Sequence, residues 1–215
     1  MAMLVAMVYG ILPLRAATNA PSLRQSQTPS ASPGFKKDFS ELMSILRTTD
    51  KPQLSQAKLL YLIPKILAAG KTPVPYLKTR FLASGDPNEV IISGAYIIIY
   101  GTDTDQKWIR TDLETSKRKQ HWLNQLVGSP RQINASIQEG ASWQPVLQRI
   151  PATRIKSFAR LCMKSEDPLV CRAGIYWGYW FGGAGYWKEL QRLAEKSGDP
   201  MARTLAKTFY KAHTK

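Results

Sequence analysis

Two rows of basic residues are the strongest candidates for chemistry in this sequence. Each row has Lys or Arg at every fourth position, so its charges share one face of a helix. The rows are Lys156, Arg160 and Lys164, and then Arg203, Lys207, Lys211 and Lys215. No Asp or Glu occurs between Glu139 and Glu166, or after Asp199. Like charges at this spacing cost about 0.2–0.5 kcal/mol per pair, which an anionic partner would offset. The rows therefore predict a binding surface for anions, although solvated faces that only keep the protein soluble remain the alternative.

The overall charge supports the same chemistry. Lys and Arg exceed Asp and Glu by 15, and Lys117-Arg118-Lys119 followed by His121-Trp122 adds a third basic cluster with an aromatic neighbour. Such a balance favours a protein partner or an anionic envelope polymer. It leaves open a membrane surface or nucleic acid, although no nucleic-acid-binding motif is present.

An aromatic segment is the second candidate for binding. Seven of the twelve residues in 176–187 (YWGYWFGGAGYW) are aromatic, enough to line a groove for a glycan, a nucleobase or a peptide by stacking. The pattern favours a different interpretation, in which glycines let helices approach closely and the rings fill the core. Trp180 and Trp187 lie nearest the glycine-rich turn and are predicted to reach the surface.

The only two cysteines, Cys162 and Cys171, flank a turn between two predicted helices. In an exported protein this arrangement predicts a disulfide that joins the hairpin, the alternative being two buried free thiols. A metal site is not predicted, because the only histidines, His121 and His213, lack ligand spacing relative to the cysteines.

Signatures of catalysis are sparse. Hydrolase, zinc-peptidase, Walker and dinucleotide motifs are absent from the sequence. The densest acidic cluster, Asp103, Asp105, Asp112 and Glu114, lacks the ligand order of a calcium loop, and Asp105 is better interpreted as an N-cap. Glu139 is the one candidate carboxylate for a glycan-directed enzyme, which would need a second acid. The sequence thus favours a non-enzymatic interaction or scaffold protein with no cofactor, and a cell-wall enzyme or a polyanion-binding protein is the alternative.

Helices must position these residues, and their starts are easy to locate. Asp-Pro pairs at 86–87, 167–168 and 199–200 place an N-cap acceptor before a proline at the first helical position. A period of 3.6 residues dominates between these starts and the glycine stops, and no alternating strand pattern is found. The β-rich run 90–100 is predicted to be a buried helix because of its cap and length. An all-α fold of nine to eleven helices follows, with helices from Asp38 onward and over 54–69 (with Pro64 kinking or dividing it), 75–83, 87–100, 105–127, 130–138, 142–149, 153–164, 168–181, 186–196 and 200–213.

The C-terminal part resembles tetratricopeptide-type helical hairpin repeats. The residues that carry the resemblance are YWKEL (186–190), LAEKSGDP (193–200), Ala202, Leu205, Ala206 and Tyr210. A weaker internal duplication relates 84–101 to 165–182. The resemblance implies antiparallel helical hairpins in a short α-solenoid-like array, which binds a protein or peptide in its concave face without catalysis.

The N-terminal segment predicts export. Residues 2–14 form an apolar run of thirteen residues, too short for a membrane span of roughly twenty. Thr18 and Ala20 provide the small residues of a cleavage site, so residues 1–20 are predicted to be a signal peptide and the protein to be secreted or periplasmic. No Lys or Arg precedes the run, as a signal peptide usually has, and an organellar presequence is the alternative because the first acidic residue is Asp38 and the stretch before it is Ser-rich. Residues 21–35, rich in Pro and Ser, are predicted to be a flexible linker, and residues 36–215 a single helical domain.

Overall fold

The computed structural model describes residues 31–47, 52–115, 151–181 and 183–213, and within these ranges the chain is all-helical. The predicted all-α class is confirmed, and the β-rich run after Pro87 is a helix. The bounds predicted for 87–100, 168–181 and 200–213 are reproduced, whereas 130–138, 142–149 and the end of 105–127 lie outside the described residues. The nine helices of the described part are α1 Pro33–Arg47, α2 Pro52–Ala68, α3 Val74–Ala83, α4 Pro87–Tyr100, α5 Asp103–Thr115, α6 Ala152–Met163, α7 Pro168–Phe181, α8 Ala184–Lys196 and α9 Pro200–His213.

Three helical hairpins are closed by the same four-residue turn, Ser-x-Asp-Pro. The backbone N–H of Asp86, Asp167 and Asp199 donates to the hydroxyl of the serine two positions earlier, at 3.1, 3.2 and 3.3 Å. Each Asp carboxylate then accepts a backbone N–H from the first turn of the helix that follows, at 2.9–3.0 Å. Because the aspartate caps the helix and the proline occupies its first position, this short sequence both ends the turn and begins the helix.

The hairpins α6/α7 and α8/α9 lie against each other. Helix α6 contacts α8 and helix α7 contacts α9, in addition to the close packing within each hairpin. Helices α3 and α4 form the third hairpin and join α6 through α4. A solenoid-like repeat array along the chain remains a prediction, because such arrays need at least three successive stacked units.

Two clusters of buried side chains hold the helices together. The larger cluster extends over α1–α7 and contains the fully buried rings of Phe39, Phe81 and Phe158. The smaller cluster joins α6 and α7 to α8 and α9 around Ile175, Tyr186 and other residues. The α6/α7 hairpin belongs to both clusters, so it fixes the C-terminal helices on the rest of the molecule.

The structure corrects the boundary predicted for the linker. Helix α1 begins at Pro33 and not at Asp38, and Ser32 Oγ accepts the backbone N–H of Phe35 at 3.2 Å. Phe35 is buried and stacks on Phe39, with ring centroids 5.9 Å apart, while Ala31 is also buried. The prolines of 21–35 suggested a linker. The Ser32 cap, Pro33 at the first helical position and the buried ring of Phe35 instead allow α1 to begin five residues before Asp38. Helix α2 likewise continues through Pro64, and residues 1–30 lie outside the described residues.

Candidate functional site

The basic row of α6 lies beside the N-terminal end of α8. Lys156 is partly exposed, and Arg160 and Lys164 are exposed. A methyl group built on Gly185 would lie 2.7 Å from a terminal nitrogen of Arg160, and one on Gly183 would lie 3.9 Å from Lys156 Nζ. None of these three cations forms a salt bridge with an acidic side chain within the part of the chain that the structure describes. The row therefore presents its charge along the junction of two helices.

Helix α8 contributes a second basic row that the sequence analysis did not identify. Lys188, Arg192 and Lys196 are exposed and spaced four residues apart. Gly185 of α8 faces Arg160 of α6. Because a helix has 3.6 residues per turn, Lys188, Arg192 and Lys196 lie within about a quarter turn of Gly185 around the axis of α8. Glu189 and Glu195 on the same helix obscured this row in the sequence. Together with the α6 row it defines the basic groove, made of Lys156, Arg160 and Lys164 from α6 and Lys188, Arg192 and Lys196 from α8.

At one end the basic groove opens into a polar cleft. The cleft has a volume of about 550 Å³ and lies between the turns that close the α6/α7 and α8/α9 hairpins. Lys164, Arg192 and Lys196 line it, so the two rows converge there. Glu166 is the exposed acid of the lining, whereas Glu189 is held by Arg192, whose Nε and Nη2 both donate to its carboxylate. The positive charges thus exceed the negative ones along the groove.

The basic row of α9 is divided between two roles. Arg203 donates through Nε and Nη2 to the backbone carbonyl of Ser197, at 2.9 and 2.5 Å, and so caps the end of α8. Lys207 and Lys211 are exposed further along α9. Lys215 lies outside the described residues. Of this predicted row, Lys207 and Lys211 remain as candidate binding residues.

The aromatic segment contributes mainly to packing where its side chains are described. A methyl group on Gly178 would lie 2.1 Å from the ring of Tyr186, which is buried and donates its hydroxyl to the carbonyl of Ile175 at 2.8 Å. Trp187 is half-buried, packs edge-to-face on Tyr186 with centroids 4.7 Å apart, and belongs to the smaller cluster. Its predicted role as a surface aromatic is therefore reduced. The side chain of Trp180 lies outside what the structure describes.

The predicted disulfide is absent. Cys162 and Cys171 are both buried free thiols, and Cys171 Sγ donates to the carbonyl of Met163. Cys162 packs in the larger cluster and Cys171 in the smaller one, so the two side chains serve different cores. Burial raises the pKa of Cys162 well above its usual value and that of Cys171 to about 11. Spacing along the chain suggested the pairing, but it does not determine which core each thiol enters.

The acidic cluster stabilises the fold. Asp103 pairs with Arg154, Asp105 with Lys78 at 2.7 Å, and Glu114 with Arg110 at 2.8 Å. Asp105 is not an N-cap, because Thr102 precedes α5, and the two exchange hydrogen bonds as a capping box. Among the described residues no three His, Cys, Asp or Glu side chains are placed to hold a metal ion, and no helix there is both long and apolar enough to cross a membrane. Glu139 and the cluster 117–122 lie outside the described residues.

Asp199 gives the stability of the C-terminal hairpin a defined pH dependence. Arg172 donates to both of its carboxylate oxygens, at 2.7 and 2.6 Å, and this lowers the pKa of Asp199 to about 2. The unfolded chain then takes up the proton at a higher pH than the folded one, so the pair stabilises the fold above about pH 4, and its contribution is lost as the pH falls towards 2.

Asp199→Asn should lower the free energy of unfolding at neutral pH by about 1–3 kcal/mol, because it removes a charged hydrogen-bonded pair but keeps an N-cap acceptor. The difference from the wild type should shrink between pH 4 and pH 2, as denaturant unfolding at a series of pH values would measure. A difference that stays constant over this range would contradict the assigned pair.

Comparison of the chain with protein-family models, with curated proteins and with solved structures finds no match in any of the three. The resemblance to tetratricopeptide-type repeats therefore remains a prediction from the sequence. The candidate site has to be interpreted from its own residues, and these define a basic, helix-lined surface.

Proposed function

We propose that this protein is an exported, non-enzymatic interaction or scaffold protein, a subunit or accessory factor of a cell-envelope assembly. Its basic helix faces bind the partner through anionic groups. The observation that carries the proposal is the distribution of charge in the C-terminal hairpins. Arg172 and Arg192 pair with acids of the fold, whereas cations such as Lys156, Arg160 and Lys164 face solvent.

The repulsion between like charges within these rows supports a binding role. Cations repeated at every fourth position repel one another, and several described acids, among them Asp105, Glu89 and Asp199, are already paired with other basic residues of the fold. An exposed surplus of one sign also accelerates encounter with an oppositely charged partner. Tyr186 is buried and Trp187 is half-buried, so the proposal depends chiefly on charge.

Capture from the native cell tests the proposal. The full reading frame, expressed in its own host with an affinity tag, should retain a stoichiometric protein partner from the envelope fraction at low salt, with a yield that falls as the salt concentration rises because the contacts are charged. The intact mass of the captured chain reports on export: loss of residues 1–20 supports it, and an unprocessed chain contradicts it. Recovery of no partner would overturn the proposed function.

Charge reversal at Lys207→Glu and Lys211→Glu should weaken this capture several-fold, because both lysines are exposed on one face of α9. Helicity should be retained, so that a loss of capture does not reflect unfolding. Lys37→Glu with Lys71→Glu is the matched control, since it alters net charge equally at exposed lysines outside the rows. Equal loss in both pairs would assign binding to net charge, and no loss in either would remove the α9 row from the site.

A further inference from the structure

The geometry points to the basic groove as the docking site for an acidic α-helix of a protein partner. This inference rests on the proposed function and specifies both the surface and the chemistry of its occupant. It begins from the placement of six cations on two adjacent helices, α6 and α8. The row on α8 belongs to this surface, although the acids on that helix kept it from being recognised in the sequence.

The two rows run side by side in the same direction. Lys156 lies near Gly183 and Arg160 lies next to Gly185, at the start of α8, whereas Lys164 lines the same cleft as Arg192 and Lys196, at the end of α8. Both helices therefore proceed from the glycine end towards the cleft. Packed helices are separated by roughly 8–10 Å, so the rows border a groove about as wide as one further helix.

The repeat along each row favours a helical occupant. Residues four apart rise about 6 Å along a helix axis, and carboxylates at every fourth position of a partner helix repeat at that same distance. Single-stranded nucleic acid is held by stacking on aromatic rings as well as by charge, and the described aromatics next to the groove, Tyr186 and Trp187, are buried and half-buried.

The charge balance is compatible with carboxylates from a partner. Five of the six cations, Lys156, Arg160, Lys164, Lys188 and Lys196, have no carboxylate salt bridge within the described part of the chain, and Lys164 shares the cleft with the exposed Glu166. Arg192 already binds Glu189, so it contributes less to recognition. The occupant would thus contact five lysine and arginine side chains along about 12 Å of each helix.

A designed helical peptide with Glu at every fourth position on one face is the direct probe. Its binding to the full chain is measured by fluorescence anisotropy, against a peptide of identical composition whose Glu residues are spread around the helix. The one-faced peptide should bind about tenfold more tightly, and Lys156→Gln, Lys164→Gln and Lys196→Gln together should remove that advantage. Lys37→Gln, Lys58→Gln and Lys71→Gln, all exposed outside the groove, are the control and should leave binding unchanged.

Gly185→Glu provides a second variant that keeps the fold. The new carboxylate would meet the flexible Arg160 guanidinium and lie in the first turn of α8, where negative charge is favourable. Melting temperature should hold or rise while peptide binding falls several-fold. A fall in melting temperature together with unchanged binding would contradict the assigned position of Arg160.

Competition defines the outcomes that would overturn the inference. Equal binding of the two peptides, or an equal loss of binding in the control triple variant, would mean that the peptide binds through net charge and not through the placement of cations along the groove. Polyphosphate or duplex DNA that displaces the one-faced peptide, with its own affinity lost in the groove variants, would assign the groove to phosphate polymers. If the envelope partner is captured normally by the groove variants, the groove is wrong and the proposed function stands. If no partner is captured at all, the proposed function fails whatever the peptide does.

Discussion

Replacing Gly174 with Ala should lower the free energy of unfolding by about 1–3 kcal/mol, because it forces apart the hairpin that joins the two cores. The added methyl group would lie 2.6 Å from the backbone nitrogen of Met163 and 2.7 Å from the carbonyl oxygen of Ala159. Both contacts are with the backbone of α6, so a change of rotamer cannot relieve them. The strain should exceed the gain of about 1 kcal/mol that Ala brings to a helix interior over Gly.

Gly34→Ala is the matched control for this variant. Gly34 also lies in a helix, and a methyl group there would have no heavy atom within 4 Å. Its melting temperature should hold or rise, whereas that of Gly174→Ala should fall by about 2–4 °C for each kcal/mol lost. Similar melting temperatures in the two variants would mean that α6 and α7 do not approach as closely as the structure places them.

The helices could be predicted because their signals are local. The Asp-Pro pairs at 86–87, 167–168 and 199–200 carry the cap, the first helical residue and the preceding turn within four positions. The start of α1 was missed because composition over fifteen residues outweighed a single serine cap and Phe35. Stacking of whole hairpins depends on contacts distant in sequence, so it could not be predicted in the same way.

The candidate site was predicted in part. The α6 row could be predicted because no acid interrupts it. The row on α8 could not be predicted, because Glu189 and Glu195 lie on the same helix. Only the position of Gly185 next to Arg160 shows which face of α8 lies towards α6. The role of Arg203 as a cap of α8 depends on a backbone carbonyl six residues earlier, which charge spacing does not indicate. A local pattern therefore predicts where charge lies, and only the packing of helices determines which charges act together.

The α3/α4 hairpin depends on one buried carboxylate, Glu89. Its carboxylate reaches back towards α3, accepting from Arg80 Nε at 2.5 Å and from Ser84 Oγ at 2.7 Å. Arg47 of α1 lies 4.0 Å away. Glu89 is 2 % exposed, so its charge depends on these partners and thereby links α1, α3 and α4.

Arg80→Met should therefore lower the free energy of unfolding by about 2–4 kcal/mol, since removing one partner leaves a buried carboxylate poorly compensated. Arg47→Met should cost about 1 kcal/mol or less, because Arg47 is more exposed and its closest contact is with Asp86. Denaturant unfolding of each variant at neutral pH measures these differences.

Adding Glu89→Gln to Arg80→Met should restore about 1 kcal/mol or more, because the amide can keep the hydrogen bond from Ser84 Oγ without a buried charge. The single variant Glu89→Gln should itself be destabilising, since it leaves Arg80 without its carboxylate. A double variant less stable than Arg80→Met alone would mean that the carboxylate is stabilised by something other than Arg80. Recovery of stability in the double variant would show that the loss in Arg80→Met comes from the unpaired carboxylate of Glu89. The ion pair that links the three helices could then be removed at low cost only by changing both of its members together.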